Sequence, residues 1–261
     1  TDVRVCNLSF LNTDWYIKQM QNKAYLSDSL PIDLKPELYR QGTNDYLYLD
    51  SETFEKNKNA VINLPIFLDL VKRKDKMVTR VYDGSEIVLY PTQNFSLPID
   101  TAHVNSLGIV PNILNVKVVP RMDFVVDGSG MDKRTFVILN MIANNNWKRP
   151  IYFSSTLSPS DYIGLQHYMQ LEGMAYRLLP AEMPMVRDGW INTGLMKSNM
   201  MKFEFTNLDD STIFYDENYQ RFTMNTKSQF YTLAGQLMLE GKNAEAKEVL
   251  LFCFKKIQSP A

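Results

Sequence analysis

Phe136-Val137-Ile138-Leu139-Asn140-Met141-Ile142-Ala143-Asn144-Asn145-Asn146-Trp147-Lys148-Arg149-Pro150-Ile151-Tyr152-Phe153 is the stretch whose reading decides the fold. It begins as a strongly apolar helix, expected over 133–143, and halts at three asparagines, which end helices well because they tolerate left-handed backbone. Past Pro150 the apolar run Ile151-Tyr152-Phe153 reads as a buried strand. Alternation of helix and strand in this manner points to an α/β core.

The pattern extends in both directions. Upstream, Asp127-Gly128-Ser129-Gly130 makes a turn into that helix, and Ile87–Tyr90, Val116–Val119 and Phe124–Val126 read as strands. A helix is expected over Leu64–Lys74, with Lys72, Arg73 and Lys74 in the last turn, where cations suit the helix dipole. Tyr46–Leu49 is a short aromatic strand, and Leu30–Gly42, with two prolines, is mostly irregular. Val3–Leu8 has strand character. Asn12-Thr13-Asp14 then offers a helix cap with an acidic first turn, and Ile17, Met20 and Ala24 follow at helical spacing. Together these read as the opening half of a βαβ crossover. Downstream, Ser158-Pro159-Ser160-Asp161 has the form of a capping box with proline at the first helical position, and a helix is expected over Trp190–Met201.

The expected fold is α/β: a mostly parallel sheet flanked by helices over residues 1–215, then a helical hairpin over 216–261. In the tail Phe230, Leu233, Ala234 and Leu237 share one helical face, Gly241 breaks the helix, and Ala246, Leu250 and Cys253 share the next. That is the spacing of a single tetratricopeptide-like repeat. A solitary repeat lacks stacked neighbours, so Phe230, Leu233, Leu237, Leu250 and Phe254 are expected to dock on the preceding domain.

The 261 residues carry 28 Lys plus Arg against 29 Asp plus Glu. Without a basic excess, nucleic-acid binding has no electrostatic support. Two cysteines, Cys6 and Cys253, cannot frame a disulfide scaffold or a metal cluster. His103 and His167 sit in unrelated contexts, so neither a metal nor a cofactor is expected. Gly128-Ser129-Gly130 lacks the lysine and spacing of a phosphate-binding loop, and no catalytic motif is found. No stretch reaches the ~20 apolar residues of a membrane span. Because the chain runs from Thr1 straight into a strand-like segment, it is read as an excerpt cut from a longer polypeptide.

Two polar clusters stand out. Asn12, Asp14 and Trp15 lie where an open α/β sheet would bind a ligand, with Trp15 available to stack on a sugar and the two polar side chains to bond its hydroxyls. A helix cap beside a core tryptophan explains the same residues. Asn146, Trp147 and Arg149 combine an indole and a guanidinium suited to a glycan or a lipid phosphate. A helix stop with a sharp entry into the next strand explains these.

At both clusters the sequence resembles a bacterial membrane-protein family whose polytopic N-terminal half is related to GT-C glycosyltransferases of the protein O-mannosyltransferase type. The matching runs include Asp2–Tyr16, Leu30-Pro31-Ile32, Tyr39–Gly42, Ile138–Phe153 and Gln170-Leu171-Glu172-Gly173-Met174-Ala175-Tyr176-Arg177-Leu178. The resemblance implies an extracytoplasmic (periplasmic) domain anchored through a membrane-embedded N-terminal region that is its first partner. It implies a glycan, lipid-phosphate headgroup or acceptor protein as further partners. Catalysis in such proteins belongs to the membrane region, so no catalytic residue is carried over to this chain. Two other readings are an independent soluble α/β enzyme and an interaction module built on the helical tail.

Overall fold

A computed structural model describes residues 2–112, 116–184, 189–210 and 212–257. In chain order the elements are α1 (Asp14–Met20), α2 (Pro36–Tyr39), β1 (Tyr46–Leu49), α3 (Ser51–Lys56), β2 (Ile62–Asn63), α4 (Leu64–Lys72), β3 (Thr79–Tyr82), β4 (Ser85–Tyr90), β5 (Asn94–Pro98), α5 (Thr101–Leu107), β6 (Arg121–Val125), β7 (Gly130–Asp132), α6 (Lys133–Asn145), β8 (Ile151–Ser154), β9 (Met169–Leu171), β10 (Ala175–Leu178), β11 (Trp190–Ile191), α7 (Thr193–Met200), α8 (Glu217–Leu239) and α9 (Asn243–Lys256). They fall into two compact units, one of residues 1–151 with 163–165, the other of 152–162 with 166–261.

Unit 1 holds two small sheets, β3-β4-β1-β7 and β2-β5-β6. Its aromatic core links helix to strand: Phe67 of α4 meets Phe95 of β5 at 5.7 Å, and Phe95 stacks on Phe124 of β6 at 5.9 Å. Helix α4 forms because Asn63 caps it, its Oδ1 accepting from Ile66 N at 3.2 Å. Leu64, Phe67, Leu68 and Val71 then recur at helical spacing and are buried. In β7 the glycine is obligatory. A Cβ on Gly130 would lie 2.3 Å from the Leu47 carbonyl oxygen of the neighbouring β1.

Helix α6 is capped by Asp132, whose Oδ1 accepts from Thr135 N at 3.0 Å and from Thr135 Oγ1 at 2.7 Å. Phe136, Val137, Leu139, Asn140 and Ile142 are buried, so the helix is apolar nearly all round and sits in the core. It ends at Asn146 in the left-handed region (φ 45°), as the asparagine run requires.

Unit 2 holds the sheet β11-β9-β10-β8 and helices α7–α9. One sheet face is apolar. Leu171 and Ile191 join Met196 and Met200 of α7, Phe230, Leu233, Ala234 and Leu237 of α8, and Ala246, Val249 and Cys253 of α9 in one core. The helical pair turns at Gly241 (φ 75°). It shares its core with Leu171, Ile191, Met196 and Met200, which precede it in the chain. Leu250 is half-buried against this core and Phe254 is exposed, so Phe254 does not belong to the docking face.

Several expectations need correction. The sheets are mixed, not mostly parallel: β1–β4, β2–β5 and β9–β11 are parallel, whereas β1–β7, β3–β4, β5–β6 and β9–β10 are antiparallel. Tight turns impose the antiparallel sense of β3–β4 and β9–β10. Asp83-Gly84, both at positive φ, folds β3 back on β4, and Gly173 folds β9 back on β10. Residues 3–8 form no strand. Val3 and Val5 are exposed, so the segment lacks a buried face to fix it in a sheet. There is therefore no opening βαβ half. Val118 makes only a bridge within 116–119. Pro159–Tyr162 is a single 3-10 turn, and Trp190–Ile191 is a strand because Asn192, not an earlier residue, caps α7.

Candidate functional site

The N-terminal segment lies along α6. At one end Arg149, past the C-terminus of α6, donates to the carbonyls of Asp2 (3.1 Å), Asp28 (3.0 Å) and Ser29 (3.4 Å) and to Ser27 Oγ (3.1 Å). At the other end Asn12 Oδ1 accepts from the backbone N–H of Arg134, in the first turn of α6, at 2.9 Å. From Arg134 to Asn146 a helix rises ~18 Å. The two sequence clusters thus occupy opposite ends of one helix and do not converge on one ligand.

Asn12 satisfies an orphan N–H of α6. Asp14 Oδ1 accepts from Trp15 N at 2.7 Å. Trp15 itself is 54% exposed and packs at 5.6 Å from Phe10, also exposed, and at 5.4 Å from Tyr16. Tyr16 is buried and tied down, its hydroxyl donating to Val5 O (3.2 Å) and accepting from Asn7 N (2.9 Å). The indole is therefore an outward-facing ring on a fixed base, not a core tryptophan.

At the other end Asn146 and Trp147 are both left-handed (φ 45° and 58°), an uncommon state for a bulky residue. The bend is braced by Asn145, whose carbonyl accepts from Lys148 N (3.0 Å) and whose Nδ2 donates to Arg149 O (2.7 Å). His103 Nε2 pairs with Asn146 O at 3.2 Å. The Arg149 fork is spent on protein oxygens, and its charge, with that of Arg4, opposes the burial that raises the Cys6 thiol pKa.

Two polar assemblies escaped the sequence reading. Lys133, 1% exposed, places Nζ 2.5 Å from Asp45 Oδ1, 2.8 Å from Tyr39 O and 3.2 Å from Arg40 O, spending its three donors. The other lies on the polar face of the unit 2 sheet. Glu172 follows β9 and accepts from Tyr152 Oη at 2.8 Å and from Gln170 Nε2 at 2.7 Å. Arg177 stands opposite Gln170 on β10, with Nη1 3.7 Å from Glu172 Oε1. Burial first, then the bond to Glu172, push the Tyr152 phenol up to about 12. A signal did exist: Gln170, Glu172 and Arg177 interrupt an otherwise apolar strand pair at alternate positions, which places them on one face.

Among the described residues no group of three or more His, Cys, Asp or Glu could hold a metal ion, and no helix is long and apolar enough to cross a membrane. These features define an α/β domain with a C-terminal helical pair, carrying an exposed aromatic surface on unit 1 and a polar network on unit 2. The chain belongs to the TMEM260-associated domain 2 family, a domain of a membrane-protein family, whose profile matches residues 1–198. Comparison with curated proteins and with solved structures finds no match.

Proposed function

We propose that this chain is a non-catalytic, extracytoplasmic accessory domain of a membrane-embedded, GT-C-like glycosyltransferase protein. In this reading it presents Asp14 and Trp15 to a glycan, a lipid-phosphate headgroup or an acceptor protein. The observation that carries the reading is the Trp15 ring, more than half exposed on the rigid base of Phe10 and Tyr16. An exposed indole beside a carboxylate is suited to stacking on the apolar face of a sugar while bonding its hydroxyls. Membership of a membrane-protein-associated family supports the location. Asn12 is assigned a positioning part, since its carbonyl oxygen is held by α6.

The test is direct. The chain is incubated with polyprenyl-phosphate sugars and acceptor peptides, and transfer is followed by mass spectrometry. No transfer above a heat-denatured control is expected; clear turnover would overturn the non-catalytic reading. Binding of the same donors and peptides is measured in parallel, and Trp15→Ala is expected to abolish it.

A further inference from the structure

Tyr25 is 94% exposed and Leu26 77%. They are the central residues of a tight turn closed on both sides, Ala24 N donating to Ser27 O and Ser27 N to Ala24 O, each at 3.0 Å. Tyr25 also takes positive φ (53°), an unfavourable state for a bulky residue. Folding gives no reason for an apolar pair here, since neither side chain supports the core. The turn is nevertheless held as a fixed tip. Arg149 donates to Ser27 Oγ, Asp28 O and Ser29 O, and its bond to Asp2 O brings the N-terminal segment alongside. Arg4 ties the same segment down by donating to Asn22 O at 3.0 Å and Gln19 O at 3.2 Å. Val3, between these two anchors, and Val5 are exposed, so one end of unit 1 gathers four apolar side chains.

Charge selects the partner. Residues 2–5, 22–29 and 146–150 carry four cations, Arg4, Lys23, Lys148 and Arg149, against two acids, Asp2 and Asp28, whereas the whole chain has a net charge of -1. We propose that this end of unit 1 is a membrane-contact surface for a bilayer that contains anionic lipid. Tyr25 and Leu26 enter the boundary between headgroups and acyl chains, with the Tyr25 hydroxyl kept at headgroup level. The four cations face the lipid phosphates, as basic residues beside a membrane do. A projecting apolar tip ringed by positive charge suits a soft interface, which closes around the tip without a preformed pocket. Trp15 lies at the opposite end of α6, so the two surfaces are separate. The lipid contact does not rest on the accessory-domain reading.

Flotation of the full chain with vesicles of phosphatidylcholine alone, and of phosphatidylcholine with phosphatidylglycerol at about 7:3, tests the proposal. The chain should float with the mixed vesicles and stay at the bottom of the gradient with phosphatidylcholine alone. Raising the salt to about 0.5 M should release it. Tyr25→Asn, which suits the positive φ, combined with Leu26→Ser should weaken the partition roughly tenfold and leave the melting temperature unchanged. Lys23→Gln with Lys148→Gln should bring binding of the mixed vesicles toward that of phosphatidylcholine. Trp15→Ala should leave flotation intact. No flotation with the mixed vesicles, equal flotation with both kinds, or flotation that survives the tip substitutions would each overturn the assignment. Loss of flotation in Trp15→Ala, or in Tyr231→Glu with Phe254→Lys on the helical pair, would place the lipid contact elsewhere and overturn it too.

Discussion

Asn12 and Trp15 are three residues apart and answer to different physics. Asn12 closes an open N–H at the start of α6, so Asn12→Ala should cost ~1 kcal/mol in chemical denaturation, the usual value of a helix cap. Trp15 is mostly in water, and Trp15→Ala should change stability far less than the 3–5 kcal/mol of a core tryptophan while removing ligand binding. A large loss of stability in Trp15→Ala would mean the ring is structural. This difference was partly legible. Ile17 and Met20 mark the buried face of α1, and Trp15 lies two residues, about 200°, from Ile17, on the solvent side. What sequence could not supply was the long-range partner of Asn12, because Arg134 is 122 residues away. The same holds for Arg149, whose partners at residues 2 and 27–29 lie 120 to 147 residues away.

The helices were the legible elements because their period is local. In α4, α6 and the α8–α9 pair the apolar spacing, the caps and the stops all lie within one stretch. Strand direction was not legible, since it depends on which strands pair, and that in turn depends on turns such as Asp83-Gly84. Leu237 tests the helical pair. It is 1% exposed in the core shared by α7, α8, α9 and the sheet, so Leu237→Asp buries an unpaired charge. The substitution should destabilise unit 2 by roughly 3–5 kcal/mol, seen as a lower melting temperature. An unchanged melt would show the pair to be an independent appendage. Acid should loosen the same region by a separate route. Burial raises the Glu240 pKa, but bonds from Lys242 Nζ (2.7 Å) and Thr193 Oγ1 (2.8 Å) outweigh it and hold the carboxyl below its ordinary 4.5. A depressed carboxyl adds stability that is complete above the unfolded value and is lost as pH falls through the folded one. Wild type should therefore exceed Glu240→Gln in stability at pH 7, and the gap should close as acid protonates the carboxyl below its ordinary range. A gap independent of pH would show that the charge of Glu240 contributes nothing.

At the scale of the whole molecule, charge and exposed apolar surface act together. Lys plus Arg nearly balance Asp plus Glu, and the isoelectric point is about 6.1, so at neutral pH little net charge keeps copies apart. The helical pair exposes a stripe: Met224, Tyr231 and Met238 recur every seventh residue along α8, and Tyr231 lies 6.3 Å from the exposed Phe254 of α9, with Leu251 one turn away. Seven-residue spacing keeps such side chains on one side of a helix over several turns. Contiguous apolar surface of this kind favours association once repulsion is removed. The weight-average mass in analytical ultracentrifugation should therefore rise with protein concentration, most steeply near pH 6, and fall back toward that of the 30.2 kDa monomer at pH 8. Tyr231→Glu with Phe254→Lys should abolish the rise without lowering the melting temperature, because both residues are largely outside the core. Association that persists in this double variant would place the contact elsewhere on the surface. Association that ignores pH would show that net charge does not govern it.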